Sequence, residues 1–444
     1  MVALRFELAC RLDRLGRDDE ARAAYLAVLA LDMRHGAALR QLAALLARGG
    51  FTSAARTVLA QAAPEDVAAR AMLGHLLRDA GEHVPARAAY EAALRVDPLC
   101  AEAHQGMSYL VEGEAAERHR AAGFAGRALT RRPYRGAGRP VAVLRLVSSR
   151  GGNVPTEQLL DDRVFAVHTL VADQAEPSVV LPPHALVLNA IGDAELCGAA
   201  LDAAERMLAG HCAPVFNPLD AVRATTRVGN AMRLGRLENV VAPRMSTLPR
   251  AALRDGVPGF GFPLLLRSPG FHTGAHFVRI EDAAALAAGV AMLPGEALTA
   301  IEPLDARGAD GFARKYRVMV VGGALLPLHL AIAPDWKVHH FTAGMEARPE
   351  HRAEEAAFLA DMASVLGRPA MDTLGRIAEV LGLDYGGIDF GLNARGKVLL
   401  FEANATMTVA RPRAGSIWEY RAAAAEAVIA STRRLLLRKA SAAA

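Results

Sequence analysis

Long hydrophobic runs, paired cysteines and aromatic residues are scarce in this chain of 444 residues. No apolar run reaches the length of a membrane span, and the first residues lack the layout of a signal peptide. The cysteines at 10, 100, 197 and 212 are scattered without a C-x-x-C pair, so we expect reduced, buried thiols. Hydrophobic content is 52% but aromatic content only 5%. Together these features predict a helix-rich, soluble, cytoplasmic protein without a membrane partner.

Strong charge of either sign is also missing. The formal net charge of +4 is small for this length, and there is no lysine or arginine tract, so no nucleic-acid partner is predicted. Only four of the 51 basic residues are lysines. Two of them, Lys315 and Lys337, lie in the same part of the chain. In a chain that otherwise uses arginine, this indicates that a compact positive charge has a role there. The length predicts two or three domains.

The first part of the chain repeats with a period close to 34 residues. Gly16 and Gly50 are 34 residues apart, and Tyr25 and Tyr90 are 65 apart, which is two periods with a small deletion. Each helical hairpin of such an array buries its apolar face only against its neighbours. The pattern resembles the tetratricopeptide repeat. We therefore expect an all-α repeat solenoid at 1–115, with a partial fourth unit at 101–110, and then a helix and linker at 116–139.

The resemblance leaves two roles open for the repeats. In one, a concave groove binds a peptide or protein. In the other, the repeats are a packing module or form a homodimer.

Residues 140–220 change to strands that alternate with helices. Val141–Val147 and residues 185–189 are apolar enough to be buried strands, and residues 199–208 are predicted to form a helix. Strands that alternate with helices predict a small parallel α/β domain.

The most informative segment is residues 385–407, which is predicted to form two strands joined by a turn at 393–396. Asp389 lies in the first strand, whereas Glu402 and Asn404 lie two residues apart in the second and therefore share a face. If the strands pair about the turn, Asp389 lies across from that pair. Neither Arg395 nor Lys397 is placed to neutralise these carboxylates, and a hard divalent cation is the more natural partner.

An acid, a hairpin and then Phe-Glu-Ala-Asn resembles the metal-binding signature of the ATP-grasp superfamily. The resemblance implies that Asp389, Glu402 and Asn404 bind Mg2+, with Mn2+ as an alternative ion, against the triphosphate of ATP. It also implies a multi-domain fold: the repeats, an α/β pre-ATP-grasp domain at 140–220, and an α+β ATP-grasp fold at 221–440. Within the last domain we expect a lid at about 255–300 and a metal-binding core at about 301–440.

Further segments resemble the phosphate-binding parts of that superfamily. Arg227 is the cation nearest to the position of a phosphate-binding lysine in many members. A strand that ends at Arg267 precedes a loop with Gly270 and Gly274, whose backbone N–H groups would surround phosphate oxygens under a lid. Members usually have lysine where Arg267 stands, and arginine is bulkier and forked.

The next segments resemble the hinge and a phosphate-facing strand of the superfamily. Glu302 and Leu304 correspond to the hinge that binds adenine through backbone groups. Lys315 and Arg317 lie in the strand that follows, and Arg317 matches an arginine that reaches the phosphates. Arg267 and Arg317 are therefore the predicted catalytic residues, because they would offset charge as the γ-phosphoryl group moves.

Candidates for substrate contact are Lys337, one of His339 and His340, and the pair Arg411 and Arg413. Neighbouring residues on a strand face opposite ways, so at most one of the two histidines would point into the site. We predict that His340 is the one that contacts substrate. Arg411 and Arg413 follow the metal motif, where they would hold a substrate carboxylate or would lie on the surface.

The predicted function is an ATP- and Mg2+-dependent ligase that activates a carboxylate as an acyl phosphate for attack by an amine, with the repeats recruiting a peptide or protein. One alternative is a non-catalytic adaptor that senses nucleotide, which the arginine at 267 favours. Another is an ATP-dependent phosphotransferase with a different acceptor.

Overall fold

The computed structural model describes residues 1–253, 256–271, 274–338 and 343–442. The chain forms two compact units. The first comprises Met1–Pro140, Asp162–Thr169 and Gln174–Glu176, and the second comprises Val141–Asp161, Leu170–Asp173 and Pro177–Ala444. The predicted order, a helical repeat region followed by mixed α/β structure, is confirmed. Within the described ranges, no helix is both long enough and apolar enough to cross a membrane.

The first unit is built from helices that follow one another in hairpins. They are α1 (Val2–Arg14), α2 (Asp18–Leu29), α3 (Gly36–Arg48), α4 (Thr52–Leu59), α5 (Val67–Asp79), α6 (His83–Val96), α7 (Ala101–Met107) and α8 (Gly113–Phe124), followed by strand β1 (Leu129–Arg131). Consecutive helices pack in pairs, and α7, in the predicted partial unit, packs with α8, which overlaps the predicted helix that follows it.

Glycine and tyrosine decide how closely these helices pack. Gly16 and Gly50 adopt φ values of +68° and +82° in the turns between paired helices, a conformation that glycine adopts without strain. Tyr90 is fully buried, and a methyl group at Gly74 or Gly106 would stand 2.5 or 2.0 Å from its ring. The glycines at 74 and 106 therefore make room for the buried aromatic ring of Tyr90.

The second unit contains three sheets with helices packed around them. Its strands, with β3 shared between the units, are β2 (Val141–Val147), β3 (Phe165–Val171), β4 (Leu186–Asn189), β5 (Val215–Phe216), β6 (Val240–Val241), β7 (Met245–Pro249), β8 (Leu264–Arg267), β9 (Phe277–Ile280), β10 (Ala297–Ile301), β11 (Ala313–Val321), β12 (Ala324–Ala333), β13 (Tyr385–Leu392) and β14 (Val398–Asn404). Its helices are α9 (Gly198–Leu208), α10 (Leu219–Arg223), α11 (Arg227–Leu234), α12 (Ala283–Ala291), α13 (Pro349–Ala360), α14 (Met362–Leu366), α15 (Arg368–Leu381) and α16 (Ala422–Ser441).

Strands β2, β4 and β5 run parallel, as the alternating pattern predicted. Strand β4 is buried along its whole length. The loop that follows it therefore emerges at the carboxyl end of a parallel sheet, where α/β proteins commonly bind ligands.

The other two sheets are mainly antiparallel. One has the order β7-β10-β8-β9, and the other has the order β12-β11-β13-β14-β6. One face of the latter is apolar: Tyr316 stacks on Phe390 with ring centres 5.3 Å apart and meets Phe358 of α13 at 5.1 Å. Because neighbouring residues of a strand alternate in direction, this apolar core leaves Lys315, Arg317 and Asp389 on the opposite face.

Two of the cysteines differ from expectation. Cys100 and Cys197 are buried free thiols, but Cys10 is only partly buried and Cys212 is exposed. The expectation that all of them are buried was therefore wrong for these two positions.

Candidate active site

A row of polar residues crosses the sheet β12-β11-β13-β14-β6 at right angles to its strands. His329 of β12 pairs with Arg317 of β11, Arg317 pairs with Asp389 of β13, and Asp389 pairs with Glu402 of β14. Direct partners across antiparallel strands lie about 5 Å apart and share a face. The strands thus bring Arg317, Asp389 and Glu402 together, although they are far apart in sequence.

Two β-bulges interrupt the pairing next to this row. The register shifts between Asp389 and Phe390, which leaves Phe401 as an extra residue in β14, and it shifts again between Arg317 and Val318. Leu400 pairs with Phe390 on the apolar face. In a regular strand Glu402 would point the same way as Leu400, but the bulge reverses the alternation and places Glu402 opposite Asp389.

Asp389 is almost completely buried and is held by two cations. Arg317 donates two hydrogen bonds to its carboxylate, at 2.5 and 2.7 Å, and Lys315 Nζ lies 3.1 Å from Oδ2. Burial alone would raise the pKa of Asp389, but Arg317 and Lys315 hold that pKa well below its ordinary value. The carboxylate therefore stays ionised. Its cations come from the neighbouring strand, and they are not Arg395 or Lys397 of the hairpin.

Glu402 forms the second charged pair. Arg227, the first residue of α11, lies 2.7 Å from Glu402 Oε1, and Asn404 Nδ2 donates to the same oxygen at 2.8 Å. Asn404 Oδ1 accepts hydrogen bonds from the backbone N–H and the hydroxyl of Thr406. Burial alone would lower the pKa of Arg227, but Glu402 and then Glu195 raise that pKa above its ordinary value.

Arg267 is a buried cation with unused hydrogen-bonding capacity. It ends β8 and is 7% exposed. One guanidinium nitrogen donates to the carbonyl of Phe271, but Nε is buried without a hydrogen-bond partner among the described residues. Burial, followed by repulsion from Arg227, lowers the pKa of Arg267 to about 10. The side chain is thus charged at neutral pH, and an anion would supply the missing acceptor.

Described residues between β8 and β9 contact both Arg267, through Phe271, and Lys337, at Gly274. Gly270 and Gly274 have φ values of +78° and +75°. A Cβ at Gly274 would stand 2.8 Å from Lys337 Cε, and Lys337 Nζ donates to the carbonyl of Phe277 at 3.3 Å. Lys337 therefore contacts the glycine-containing segment between β8 and β9, and its hydrogen bond is not to Arg317, Asp389 or Glu402.

Two clefts border these residues. The first cleft is lined by Gly192, Asp193, Ala194, Glu195, Thr225, Arg227, Gly270, Phe271, Asn404 and Thr406. The second cleft is lined by Thr225, Arg227, Asn230, Ala231, Met245, Leu400, Phe401, Glu402, Ala403 and Asn404. Arg227, Gly270, Glu402 and Asn404, all predicted from sequence, thus lie at the walls of two adjoining clefts.

Several cleft residues were missed by the sequence reasoning. Glu195, in the loop after β4, accepts the backbone N–H of Arg227 at 2.8 Å, and Asn230 Nδ2 donates to the carbonyl of Ala403 at 2.5 Å. The position of Asp193 and Glu195 just after a buried parallel strand was the signal that could have pointed to them.

Other predicted residues lie outside this cluster or have different partners. The backbone N–H of Glu302 donates to the carbonyl of Arg244 and its carboxylate accepts from the Arg244 N–H, while Leu304 is half-buried beyond the end of β10. Arg411 is paired with Glu426 of α16 and also contacts Gln158, and Arg413 is exposed.

The two histidine candidates, His339 and His340, fall outside the described residues.

The donor types of this set suit a hard divalent cation, but in this structure the Asp389 carboxylate is held by Arg317 and Lys315, and the amide oxygen of Asn404 accepts from Thr406. Carboxylate and amide oxygens suit Mg2+, and Asp389, Glu402 and Asn404 lie on adjoining strands of one sheet face. Among the described residues, no group of three histidine, cysteine, aspartate or glutamate side chains could hold a metal by itself. A small coordination set of two carboxylates completed by phosphate oxygens is the common arrangement for Mg2+ at nucleotide sites. Arg267 Nε, which is buried and has no hydrogen-bond partner among the described residues, favours an anion at its side.

This chain is similar to solved structures of two classes, ATP-grasp proteins and tetratricopeptide repeat proteins. A RimK-domain ATP-grasp protein from Sphaerobacter thermophilus is 16% identical, with a TM-score of 0.41, over 66% of this chain and 99% of that one. The VanG D-Ala:D-Ser ligase of Enterococcus faecalis is 12% identical, with a TM-score of 0.43, over 68% and 100%.

A tetratricopeptide repeat protein from Parabacteroides merdae is 22% identical, with a TM-score of 0.24, over 28% of this chain and 48% of that one. No protein-family profile and no curated protein matches the chain.

Proposed function

We propose that the second unit is an ATP-dependent ligase that joins a carboxylate to an amine. The observation that carries the proposal is the charge balance around the paired carboxylates. Arg227 forms an ion pair with Glu402, Lys315 and Arg317 form ion pairs with Asp389, and Arg267 interacts electrostatically with Glu402. A polyanion accompanied by a divalent cation would complete this arrangement, because the metal requires the carboxylates and the phosphates require the cations.

The two clefts suggest how substrates divide between them. The second cleft contains the apolar residues Met245 and Phe401 beside Glu402, which suits a nucleotide base held next to its phosphates. The first cleft contains Asp193 and Glu195 in addition to Arg227. We assign the second cleft to ATP and the first to the acceptor substrates.

The chain's own residues would act by positioning and by electrostatics. Asp389, Glu402 and Asn404 would hold Mg2+, which when bound neutralises charge between the phosphates. Arg317 and Arg267 would offset negative charge as a carboxylate oxygen of the substrate attacks the γ-phosphorus and ADP leaves. The amine then attacks the acyl carbon, inorganic phosphate leaves, and the amine gives up a proton. The loop that carries Gly270 and Gly274 would exclude water from the acyl phosphate.

One observation favours a second candidate, a nucleotide sensor without turnover. Arg267 already donates one hydrogen bond to the carbonyl of its own loop at Phe271. A guanidinium held in this way could report nucleotide binding through the loop without taking part in phosphoryl transfer.

The decisive experiment compares Glu402→Gln with Glu354→Gln. Both replace a carboxylate that binds an arginine, but Glu354 of α13 pairs with Arg314 away from the two clefts. The purified chain is incubated with Mg2+, ATP and mixtures of 18O-labelled carboxylates and amines, and ADP and labelled phosphate are measured. Transfer of 18O from carboxylate to phosphate is the signature of acyl phosphate formation.

We expect Glu402→Gln to reduce Mg2+-dependent turnover by about a hundredfold or more, while Glu354→Gln retains it. Undiminished turnover in Glu402→Gln would remove the metal assignment. Nucleotide binding without labelled phosphate under any substrate mixture would favour the sensor.

A further inference from the structure

Helix α1 has an exposed apolar face as well as a buried one. Its buried face includes Ala9, which is packed into the repeat core. On the other side, Met1, Leu4, Leu8 and Leu15 are 83, 73, 53 and 66% exposed. Exposed leucines scattered singly need no explanation, but here they recur on one helix face.

The spacing of these residues is that of a helix–helix seam. Met1, Leu4, Leu8, Arg11 and Leu15 are separated by three, four, three and four residues, the heptad spacing of helices that pack side by side. At about 100° per residue, Leu4, Leu8, Arg11 and Leu15 fall within an arc of about 60°. The exposed stripe of α1 therefore has the spacing of a surface that packs against another helix.

The position of Arg11 selects how a second α1 would pack against it. In a parallel pair of identical helices, each seam residue meets its own counterpart, so Arg11 would face Arg11 and the two charges would repel. In an antiparallel pair, Leu4 faces Leu15 of the second copy and Leu8 faces Arg11. The aliphatic stem of Arg11 would then cover Leu8, and its guanidinium would reach water and Glu7.

The flanking charges fit the antiparallel arrangement. Glu7 and Arg14 lie at equivalent flanking positions of successive heptads, and both are exposed. Reversing the second helix places Glu7 of each copy beside Arg14 of the other, which gives two complementary pairs. Within one chain Glu7 pairs with Arg11 at 2.5 Å on the exposed helix surface, and Arg14 donates to the carbonyl of Cys10.

We infer that the outer face of α1 is a homodimerisation surface, in which two copies of this chain pack their first helices antiparallel. The inference is independent of the proposed ligase activity, because it rests on the repeat unit alone. It assigns self-association to α1 and leaves the other helices of the repeat unit available to another partner.

The test measures the mass of the full-length protein by sedimentation velocity and light scattering between about 1 and 100 μM. The wild type is expected to approach twice 47.0 kDa as concentration rises. Leu8→Glu is expected to remain monomeric. Leu99→Glu is the matched control, since Leu99 is 83% exposed in the same unit away from α1 and its replacement should leave the mass unchanged. Circular dichroism and thermal melting confirm that each variant is folded.

A charge exchange tests the antiparallel geometry. Glu7→Arg alone and Arg14→Glu alone are each expected to weaken the dimer about tenfold, because two attractive pairs become repulsive. The double variant is expected to restore the wild-type dissociation constant. A monomeric wild type at every concentration would overturn the inference, as would equal effects of Leu8→Glu and Leu99→Glu. A double variant weaker than either single variant would overturn the antiparallel pairing.

Discussion

Replacing Asp389 with asparagine should reveal how strongly the site depends on compensation of buried charge. The substitution keeps the shape of the side chain, so it creates no cavity. It leaves Arg317 and Lys315, whose side chains are 12 and 15% exposed, without their shared carboxylate. Removing one partner of a buried ion pair typically costs about 3–5 kcal/mol. We expect the second unit to lose stability in that range.

The chain offers a specific probe for this measurement. Its two tryptophans, Trp336 and Trp418, both lie in the second unit, so tryptophan fluorescence during urea denaturation reports on that unit alone. With a denaturant dependence of about 3 kcal/mol per molar urea, the midpoint should fall by about 1 M or more. Glu354→Gln, whose carboxylate side chain is 34% exposed, should lower the midpoint by about 0.3 M or less, as expected for a partly exposed pair.

A double substitution separates the loss of charge compensation from other effects. Asp389→Asn with Arg317→Met removes one of the two cations that the single variant leaves uncompensated, so the double variant should recover part of the lost stability although Lys315 remains. The reasoning is refuted if Asp389→Asn unfolds at the wild-type midpoint. It is also refuted if adding Arg317→Met to Asp389→Asn lowers the free energy of unfolding as much as Arg317→Met does in the wild type.

Three further predictions concern separate features. Arg267→Met should weaken ATP binding, measured by calorimetry, about tenfold or more, because it removes a buried cation. Arg267→Lys keeps a cation and should retain most of the affinity. If Arg267→Met bound ATP as tightly as the wild type, a phosphate-binding role of Arg267 would be contradicted. Gly106→Ala should lower repeat stability by about 1–3 kcal/mol in thermal melts, because the added methyl would stand 2.0 Å from Tyr90, while Gly375→Ala in α15, with open space around it, should raise stability by about 0.5–1 kcal/mol. Burial, and then the charge of Arg78, lowers the pKa of His75 in the folded protein. Neutral His75 therefore contributes to stability at pH values above its unfolded pKa of about 6.5, and this contribution is lost as the pH falls through the lower pKa of the folded state. His75→Gln should flatten this pH dependence of the melting temperature, and an unchanged acid-induced loss would show that another group is responsible.

Local patterns predicted the elements of the site well. The apolar runs and the turn at 393–396 predicted the hairpin of β13 and β14, and the two-residue spacing placed Glu402 and Asn404 on one face. These features depend on neighbours in sequence, and the period of a strand is enough to find them.

Long-range features of the site could not be obtained in that way. Arg317 precedes Asp389 by 72 residues, and nothing in either segment states which register their strands adopt. The bulge at Phe401 was also invisible, because it follows from the competition between packing of Leu400 on one face and pairing of Glu402 on the other. The contact of Glu195 with α11 likewise depends on how a loop of one sheet meets a helix packed on another.

Phe401 has a consequence for changes in chain length. Because it is the extra residue of the bulge, a chain without it would still pair Asp389 with Glu402 and Phe390 with Leu400. Such a deletion would straighten β14 and withdraw one apolar side chain from the wall of the second cleft. Insertion and deletion at this position therefore offer a way to reshape the pocket while the carboxylates stay in register, and a search for related chains should allow the separation between aspartate and glutamate to vary by one residue.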